Sequence, residues 1–137
     1  MAVAGTGRPA PRGSGRRARS DKMWGGSRYY TNRAIEFIDS IKSPNPGIAS
    51  RKRVSPFGNR GSDHFVGNIR ADAVDFRLAN DQQAATRLAK RFHWTGKGPF
   101  PSFATWRTRH NGKVYQHQLI WTTHGTGPHL HYGVHVV

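Results

Sequence analysis

Apolar residues recur every three or four positions in two segments, which is the spacing of one face of a helix. The first helix is predicted over residues 33–42 and the second over residues 80–93. The candidate N-caps are Thr31 or Asn32 for the first helix and Asn80 or Asp81 for the second. The two apolar stripes consist of Ala34, Ile35, Phe37, Ile38 and Ile41, and of Ala84, Ala85, Leu88, Ala89 and Phe92. Both helices are expected to pack on a core.

Alternating apolar and polar residues predict strands over residues 48–54, 70–78, 113–122 and 129–137. The last two form an antiparallel hairpin, whereas the Gly-, Pro- and Ser-rich residues 55–68 and 95–105 are expected to be loops. The predicted fold class is therefore α+β, a small antiparallel sheet with two main helices.

The final strand has two chemically different faces. Its period of two places His129, His131, Gly133 and His135 on one face, and apolar side chains on the other. If the apolar face packs on the core, the imidazoles face a cleft, where they can hold a metal together with residues from other elements.

Composition limits which residues can bind that metal. The 137 residues argue for one domain, here 23–137, preceded by a basic tail over residues 1–22 that cannot bury enough apolar surface to order itself. Cysteine is absent, so a transition metal has to be held by histidine and carboxylate. Only seven residues are acidic, so each aspartate is a candidate.

The formal charge of +15 predicts attraction to polyanions such as nucleic acid, an anionic membrane or the acidic polymers of a bacterial wall. No apolar run approaches the ~18 residues of a membrane span, so no span is expected. No secretory signal is visible near the first residue either, so an extracellular role would need another means of release.

Two histidines and one aspartate can form a three-ligand zinc site with an open fourth position. His64, one aspartate and one histidine of the final strand would supply it from three separate elements. Asp75 follows two small residues, which leave room for a ligand. Asp72 points to the opposite face of a regular strand, so only one of the two can face the site.

Read jointly, several motifs resemble a known family. The segments Ser50-Arg51-Lys52-Arg53, Ser62-Asp63-His64-Phe65-Val66-Gly67 and Ala73-Val74-Asp75 resemble the Ser-x-x-Arg, Ser-x-His-x-x-Gly and Ala-x-Asp motifs. These belong to zinc D-alanyl-D-alanine carboxypeptidases and L-alanyl-D-glutamate endopeptidases, which share a group with hedgehog domains. The closing Gly127-Pro128-His129-Leu130-His131-Tyr132 is similar to the end of lysostaphin-type peptidases. The resemblance covers roughly residues 24–137.

The resemblance implies a role for each matching residue. His64, Asp75 and His131 would be zinc ligands, and His129 would orient or deprotonate the water bound to zinc and stabilise the oxyanion. Arg53 would bind a substrate carboxylate through its bidentate guanidinium.

Two departures from the family pattern leave alternatives open. Five residues, 68–72, stand where the family usually has one, so Asp72 remains a second candidate for the ligand role of Asp75. Pro128 occupies the position of the family's glutamate base, so either His129 has taken over that role or the site binds metal without efficient turnover.

The implied function is a zinc peptidase that cuts a peptide bond in bacterial peptidoglycan. A phage would encode it as an endolysin, which reaches the wall from the host cytoplasm after holin release, or as a virion-associated hydrolase with other virion proteins as partners. Two alternatives are an inactive phage structural protein that keeps the fold, and a basic nucleic-acid-binding protein.

Overall fold

In a computed structural model, residues 27–41, 48–50, 62–65, 67–77, 81–122 and 129–137 are described. Their elements in chain order are α1 (Arg28–Asp39), β1 (Ile48–Ser50), β2 (Ala71–Phe76), α2 (Gln82–Arg91), β3 (Phe103–His110), β4 (Lys113–Ile120) and β5 (Leu130–Val136). The strands form one antiparallel sheet in the order β1-β2-β5-β4-β3. For these residues the predicted small α+β fold is confirmed. The predicted tail over residues 1–22 lies outside them.

Helix α2 follows the sequence prediction closely. The side chain of Asp81 accepts a hydrogen bond from the backbone N–H of Ala84 at 2.9 Å, which makes it the N-cap. The buried side chains of the helix are the predicted apolar ones, Ala84, Ala85, Leu88 and Ala89. Neither α1 nor α2 has the length and apolar character needed to cross a membrane.

Helix α1 begins and ends earlier than predicted, at Arg28 and Asp39 rather than near residues 33 and 42. Thr31 is not the N-cap; it lies inside the helix, where its hydroxyl donates to the carbonyl of Ser27 at 3.3 Å. The additional N-terminal turn carries Tyr30, which is 5% exposed and packs edge-on against Phe92 and Tyr115. Tertiary packing of this tyrosine, which local periodicity does not reveal, stabilises that turn.

The strand β3 was missed by the sequence prediction, which assigned residues 95–105 to a loop and began the hairpin at residue 113. Side chains of β3 alternate between exposed and half-buried, and its exposed positions are polar or basic except Phe103. A tight turn joins β3 to β4 through Asn111 and Gly112, with φ of 51° and 76°. Positive φ at both central residues is typical of a type I′ hairpin turn, for which Asn-Gly is a strong sequence signal.

The two helices cover one face of the sheet. Alternate residues of the strands join helix residues in a single apolar cluster: Val74 and Phe76 from β2, Tyr115 and Leu119 from β4, and Leu130, Tyr132 and Val134 from β5. The residues between them, including Asp75 and His131, point to the opposite face. The candidate site therefore lies on the side of the sheet that the helices leave uncovered.

A chain of polar groups crosses the core beneath β5. His117 is fully buried; its Nδ1 lies 2.7 Å from the hydroxyl of Tyr132 and its Nε2 lies 2.8 Å from the hydroxyl of Thr108. Thr108 donates onward to the hydroxyl of Tyr30 at 3.3 Å, so it accepts from His117 Nε2–H. His117 is thus a neutral imidazole that accepts from Tyr132.

Burial makes this imidazole hard to protonate. Desolvation, and secondarily the charge of His93, lowers the pKa of His117 from 6.5 to about 3. Below pH ~6.5 the unfolded chain takes up a proton that the folded chain does not. The contribution of His117 to the free energy of unfolding is therefore fully present above pH ~6.5. It decreases as the pH falls toward 3, by at most ~1.4 kcal/mol per pH unit.

We expect His117→Gln to flatten this pH dependence, because glutamine keeps a donor and an acceptor but does not titrate. Urea unfolding between pH 7 and pH 5 should show the wild type losing stability faster than the variant on acidification. At pH 7 the variant should be less stable by ~1–3 kcal/mol, since amide geometry cannot satisfy both partners. Parallel pH curves for the two proteins would contradict the neutral, buried assignment.

Candidate metal centre

The pairing of β2 with β5 places an aspartate beside a histidine. Asp75 and His131 are direct partners across the two antiparallel strands, and both point away from the helices. Residues opposite each other in such a pair have Cβ atoms ~4.5–5.5 Å apart, close enough for their side-chain tips to meet.

The loop before β2 supplies the third member, His64. Ser62 organises this loop: its hydroxyl accepts from the backbone N–H of His64 at 3.1 Å, and its carbonyl accepts from Phe65 N at 3.0 Å and from Asn68 Nδ2 at 2.6 Å. These bonds turn the chain so that the His64 side chain, 7% exposed, reaches the outer face of the sheet above Asp75.

Three ligand atoms converge at this point. His64 Nε2 lies 3.2 Å from Asp75 Oδ1, His131 Nδ1 lies 2.9 Å from the same oxygen, and the two nitrogens are 3.3 Å apart. Among the described residues these three form the group that could hold a metal ion.

The separations fit a metal with short bonds. A tetrahedral site with bonds of ~2.0 Å holds its ligands ~3.3 Å apart. Atoms at 2.9, 3.2 and 3.3 Å lie on a circle of ~1.8 Å radius, so a point ~2.0–2.2 Å from all three exists ~1 Å above their plane. The donor set of two imidazole nitrogens and one carboxylate oxygen suits zinc and its first-row neighbours.

In the absence of a cation, hydrogen bonds among the three side chains satisfy their polar atoms less well than a bound metal would. If both imidazoles donate to Asp75 Oδ1, their two N–H groups face each other at a nitrogen separation of 3.3 Å. Burial by itself would raise the pKa of Asp75, but the hydrogen bonds and charges of His131 and His64 outweigh it and hold the pKa well below its ordinary value. An ionised carboxylate beside two imidazoles is the protonation state that a cation requires.

The structure distinguishes the two aspartates of β2. Asp72 is fully buried on the core side, where its Oδ1 accepts from the backbone N–H of Ala73 at 2.8 Å. Asp75 is the aspartate that meets His64 and His131. Two residues of the sequence prediction lie outside the described residues. They are Arg53, the predicted substrate-binding residue, and Pro128, which stands at the position of the family's glutamate base. The role of Arg53 therefore stays a prediction.

His129 lies at the edge of the cluster. It directly precedes β5, and its side chain is 20% exposed. Its Nε2 lies 3.9 Å from Asp75 Oδ2, whereas His64 and His131 approach the other carboxylate oxygen, Oδ1. His135 shares the outer face with His131, but four residues at ~3.3 Å each place it ~13 Å along the strand. Of the final histidines, His131 is in the cluster and His129 beside it.

Two residues near the cluster had no role in the sequence prediction, Asp63 and Gly133. The side chain of Asp63 reaches over Gly133, where a Cβ would lie 3.0 Å from Asp63 Oδ2. The scarcity of acidic residues, together with the position of Asp63 directly before His64, was the signal that could have indicated it.

The chain matches no family model, no curated protein and no solved structure. The geometry of the cluster and the motifs in the sequence are therefore the observations that bear on function.

We expect the protein to bind one zinc ion per chain and His131→Ala to weaken that binding at least ~100-fold, because two remaining ligands cannot complete the site. Competition with a chromophoric chelator measures the affinity. His135→Ala is the matched control, since it removes an imidazole from the same strand face without touching the cluster. Equal losses in the two variants would refute the assignment of His131.

Proposed function

We propose that this protein is a zinc-dependent peptidase that cleaves a peptide bond in bacterial peptidoglycan. The observation that carries the proposal is the convergence of His64 Nε2, Asp75 Oδ1 and His131 Nδ1 within 3.3 Å of one another. Three protein ligands with a fourth position left for water are typical of catalytic zinc sites, whereas structural sites use four.

The resemblance to the peptidoglycan peptidases supports this proposal independently of the geometry. The three residues that the motifs assign as zinc ligands come from distant parts of the chain, and they are the same three that meet on the sheet. We extend the proposal to the fold: an antiparallel sheet with helices on one face and the metal on the other would correspond to the hedgehog and D-alanyl-D-alanine peptidase type.

In this mechanism zinc would act as a Lewis acid that activates water and polarises the scissile carbonyl. His129 would move the proton. Its Nε2, 3.9 Å from Asp75 Oδ2, would accept the proton of the attacking water and return it to the leaving amine. Arg53 would hold a carboxylate of the peptide, as its match to the Ser-x-x-Arg motif implies.

The surface beside the cluster suits an acidic peptide. Strands β3, β4 and β5 contain no aspartate or glutamate. On the outer face, a residue of β5 and its pairing partners in β4 and β3 form a row across the sheet. Three such rows start at or beside the cluster: His131, Ile120 and Phe103; Gly133, Gln118 and Thr105; His135, Gln116 and Arg107. Phe103 is 58% exposed, and Arg107 Nε donates to Gln116 Oε1 at 3.1 Å. A stem peptide that carries carboxylates could lie along these rows.

The net charge of +15 would hold the enzyme on the anionic wall. It favours nucleic acid as a partner equally well, which makes a basic DNA- or RNA-binding protein the second candidate. Within the first proposal, a phage endolysin and a virion-associated hydrolase both deliver such a domain to the wall.

We expect the zinc-loaded protein to reduce the turbidity of purified peptidoglycan and to release new amino termini. Removing the metal with a chelator should abolish this activity, and adding zinc should restore it, because the Lewis acid is lost and regained. Bound zinc without cleavage of any wall preparation would instead favour an inactive structural protein that keeps the fold. No zinc, with tight and salt-sensitive DNA binding, would favour the second candidate.

We expect His129→Gln to lower kcat by ~10²–10⁴-fold while zinc stays bound, because glutamine cannot transfer a proton. The measurement pairs kcat on a wall-derived peptide with zinc content. His135→Gln is the control: this residue belongs to the proposed peptide-binding rows but not to the cluster, so its kcat should stay at the wild-type value and any loss should appear in KM. Wild-type kcat in His129→Gln would remove His129 from the mechanism.

A further inference from the structure

We propose that the cleft between the turn at residues 68–71 and the end of β5 binds a carboxylate of the substrate peptide through Arg70 and His135. This inference rests on the proposed function and deepens it, because the metal centre would cut the peptide and the cleft beside it would select an acidic one. It assigns a role to the segment 68–72, which the motifs leave unexplained, and to the last histidine of β5.

The cleft lies on the same face of the sheet as the metal centre. It has a volume of about 470 Å³ and is lined by residues 67–70 and Asp63 from the loop, and by Ala71, His135 and Val136 from the two strands. His135 pairs with Ala71 as His131 pairs with Asp75. Because both pairs are an even number of residues apart, the side chains of Ala71 and His135 also point away from the helices.

The spacing along β5 places the cleft a few peptide residues from the metal. His135 follows His131 by four residues, or ~13 Å along the strand. Asp63, which also lines the cleft, lies over Gly133, only two residues from His131. An extended peptide spans ~3.3–3.6 Å per residue. A peptide with its scissile bond at the metal would therefore bring into the cleft a residue about two to four positions away.

Three consecutive turns build the wall of the cleft. Backbone hydrogen bonds from residue i+3 to residue i close the turns at residues 62–65, 65–68 and 68–71, with lengths of 3.0, 3.0 and 3.1 Å. Arg70 is a central residue of the third turn, and its carbonyl accepts from the backbone N–H of Val136 at 2.9 Å. The backbone of Arg70 is thus held against β5, whereas its side chain is exposed.

The third turn belongs to the part of the loop that departs from the motif pattern. Residues 68–72 stand where the family motif usually has one residue, and they form this turn and the first two positions of β2. A chain with the usual length would pass from Gly67 into β2 without the third turn and without Arg70. The additional residues therefore supply both the wall of the cleft and its cation.

The chemistry of the lining favours a carboxylate on an aliphatic arm. Among the described residues, neither the guanidinium of Arg70 nor the imidazole of His135 has a hydrogen-bond or ion-pair partner. Both groups donate N–H bonds that suit a carboxylate. Ile69, which is 52% exposed, adds apolar surface for methylene groups. The carboxylate of Asp63 in the same cleft makes a single negative charge a better fit than a doubly charged phosphate.

The first experiment compares a wall-derived peptide with an analogue in which its side-chain carboxylate is a carboxamide. We expect Arg70→Gln to raise the KM of the zinc-loaded protein for the acid peptide ~10-fold with kcat unchanged, because the contact is remote from the bond that breaks. Arg70→Lys keeps the charge but not the bidentate geometry, so its KM should lie between the two. The KM for the amide peptide should not change in Arg70→Gln.

Arg87→Gln is the matched control, because it removes the same charge from the exposed surface of α2, on the other side of the sheet. Its KM for both peptides should equal the wild-type value. An equal rise of KM for the acid and amide peptides in Arg70→Gln would show that the arginine only supports the loop. An unchanged KM for both would show that it makes no contact. Either result would overturn the inference.

The second experiment measures binding without turnover. In ¹⁵N spectra of the zinc-loaded His129→Gln variant, the acid peptide should shift the signals of residues 67–71 and of His135. Adding Arg70→Gln should weaken this binding ~10-fold, and adding His135→Ala should weaken it while the zinc affinity stays unchanged. Peptide binding that leaves the signals of residues 67–71 in place would refute the cleft as the site.

The outcomes also separate this inference from the proposed function. Binding of the acid peptide that depends on Arg70, in a protein that cuts no peptidoglycan, supports the cleft and removes the peptidase. Cleavage of the wall with a wild-type KM in Arg70→Gln does the opposite. A protein that neither binds the peptide nor cleaves the wall overturns both.

Discussion

The antiparallel pairing of β2 with β5 is the constraint on which the site depends. It places Asp75 directly opposite His131, and it directs both side chains to the face that the helices leave uncovered. A shift of one residue in this register would turn His131 toward the helices and bring Tyr132 or Leu130 to the metal side. The register is held because that same shift would expose Leu130, Tyr132 and Val134, which are fully buried. The alternation of inward and outward side chains along β5 thus determines both the packing of the core and the geometry of the site.

The core beneath the site is built from aromatic and polar groups rather than from aliphatic residues alone. Tyr132, between His131 and Gly133 on β5, points inward and donates its hydroxyl hydrogen bond to His117. The ring of His117 stacks on Trp106 at 5.1 Å and is tied through Thr108 to Tyr30 of α1. This network connects α1, β3, β4 and β5, so the backbone that carries His131 is held in place from the core side. A polar network that satisfies its members favours one arrangement of the core over others.

Carboxylates are scarce in this chain, and their distribution is informative. Three of the seven acidic residues lie between residues 63 and 75, within a protein of net charge +15. Asp75 belongs to the cluster with His64 and His131, Asp63 lies over Gly133, and Asp72 accepts from the backbone of its own strand. Negative charge is therefore concentrated where a cation would be held, and strands β3 to β5 are left without it. This separation of charge is compatible with a basic surface that attracts an anionic polymer and a small acidic centre that retains a metal.

Local patterns were sufficient for α2, whose N-cap they narrowed to Asn80 or Asp81, for the two faces of β2, β4 and β5, and, together with the family resemblance, for the choice of His64, Asp75 and His131 as candidates. Each of these depends on the period of a single element or on a short motif, and such signals lie within a few neighbouring residues. The strand β3 was missed although Asn111-Gly112 signals its turn into β4, because its exposed positions are polar or basic except Phe103. The first turn of α1 was not anticipated, because Tyr30 packs against Phe92 and Tyr115, which lie far away in the chain. The same holds at the site. Which aspartate meets the histidines and which ring nitrogens face one another follow from strand register and loop closure. These bring together residues separated by 11 to 67 positions, and no local period encodes such contacts.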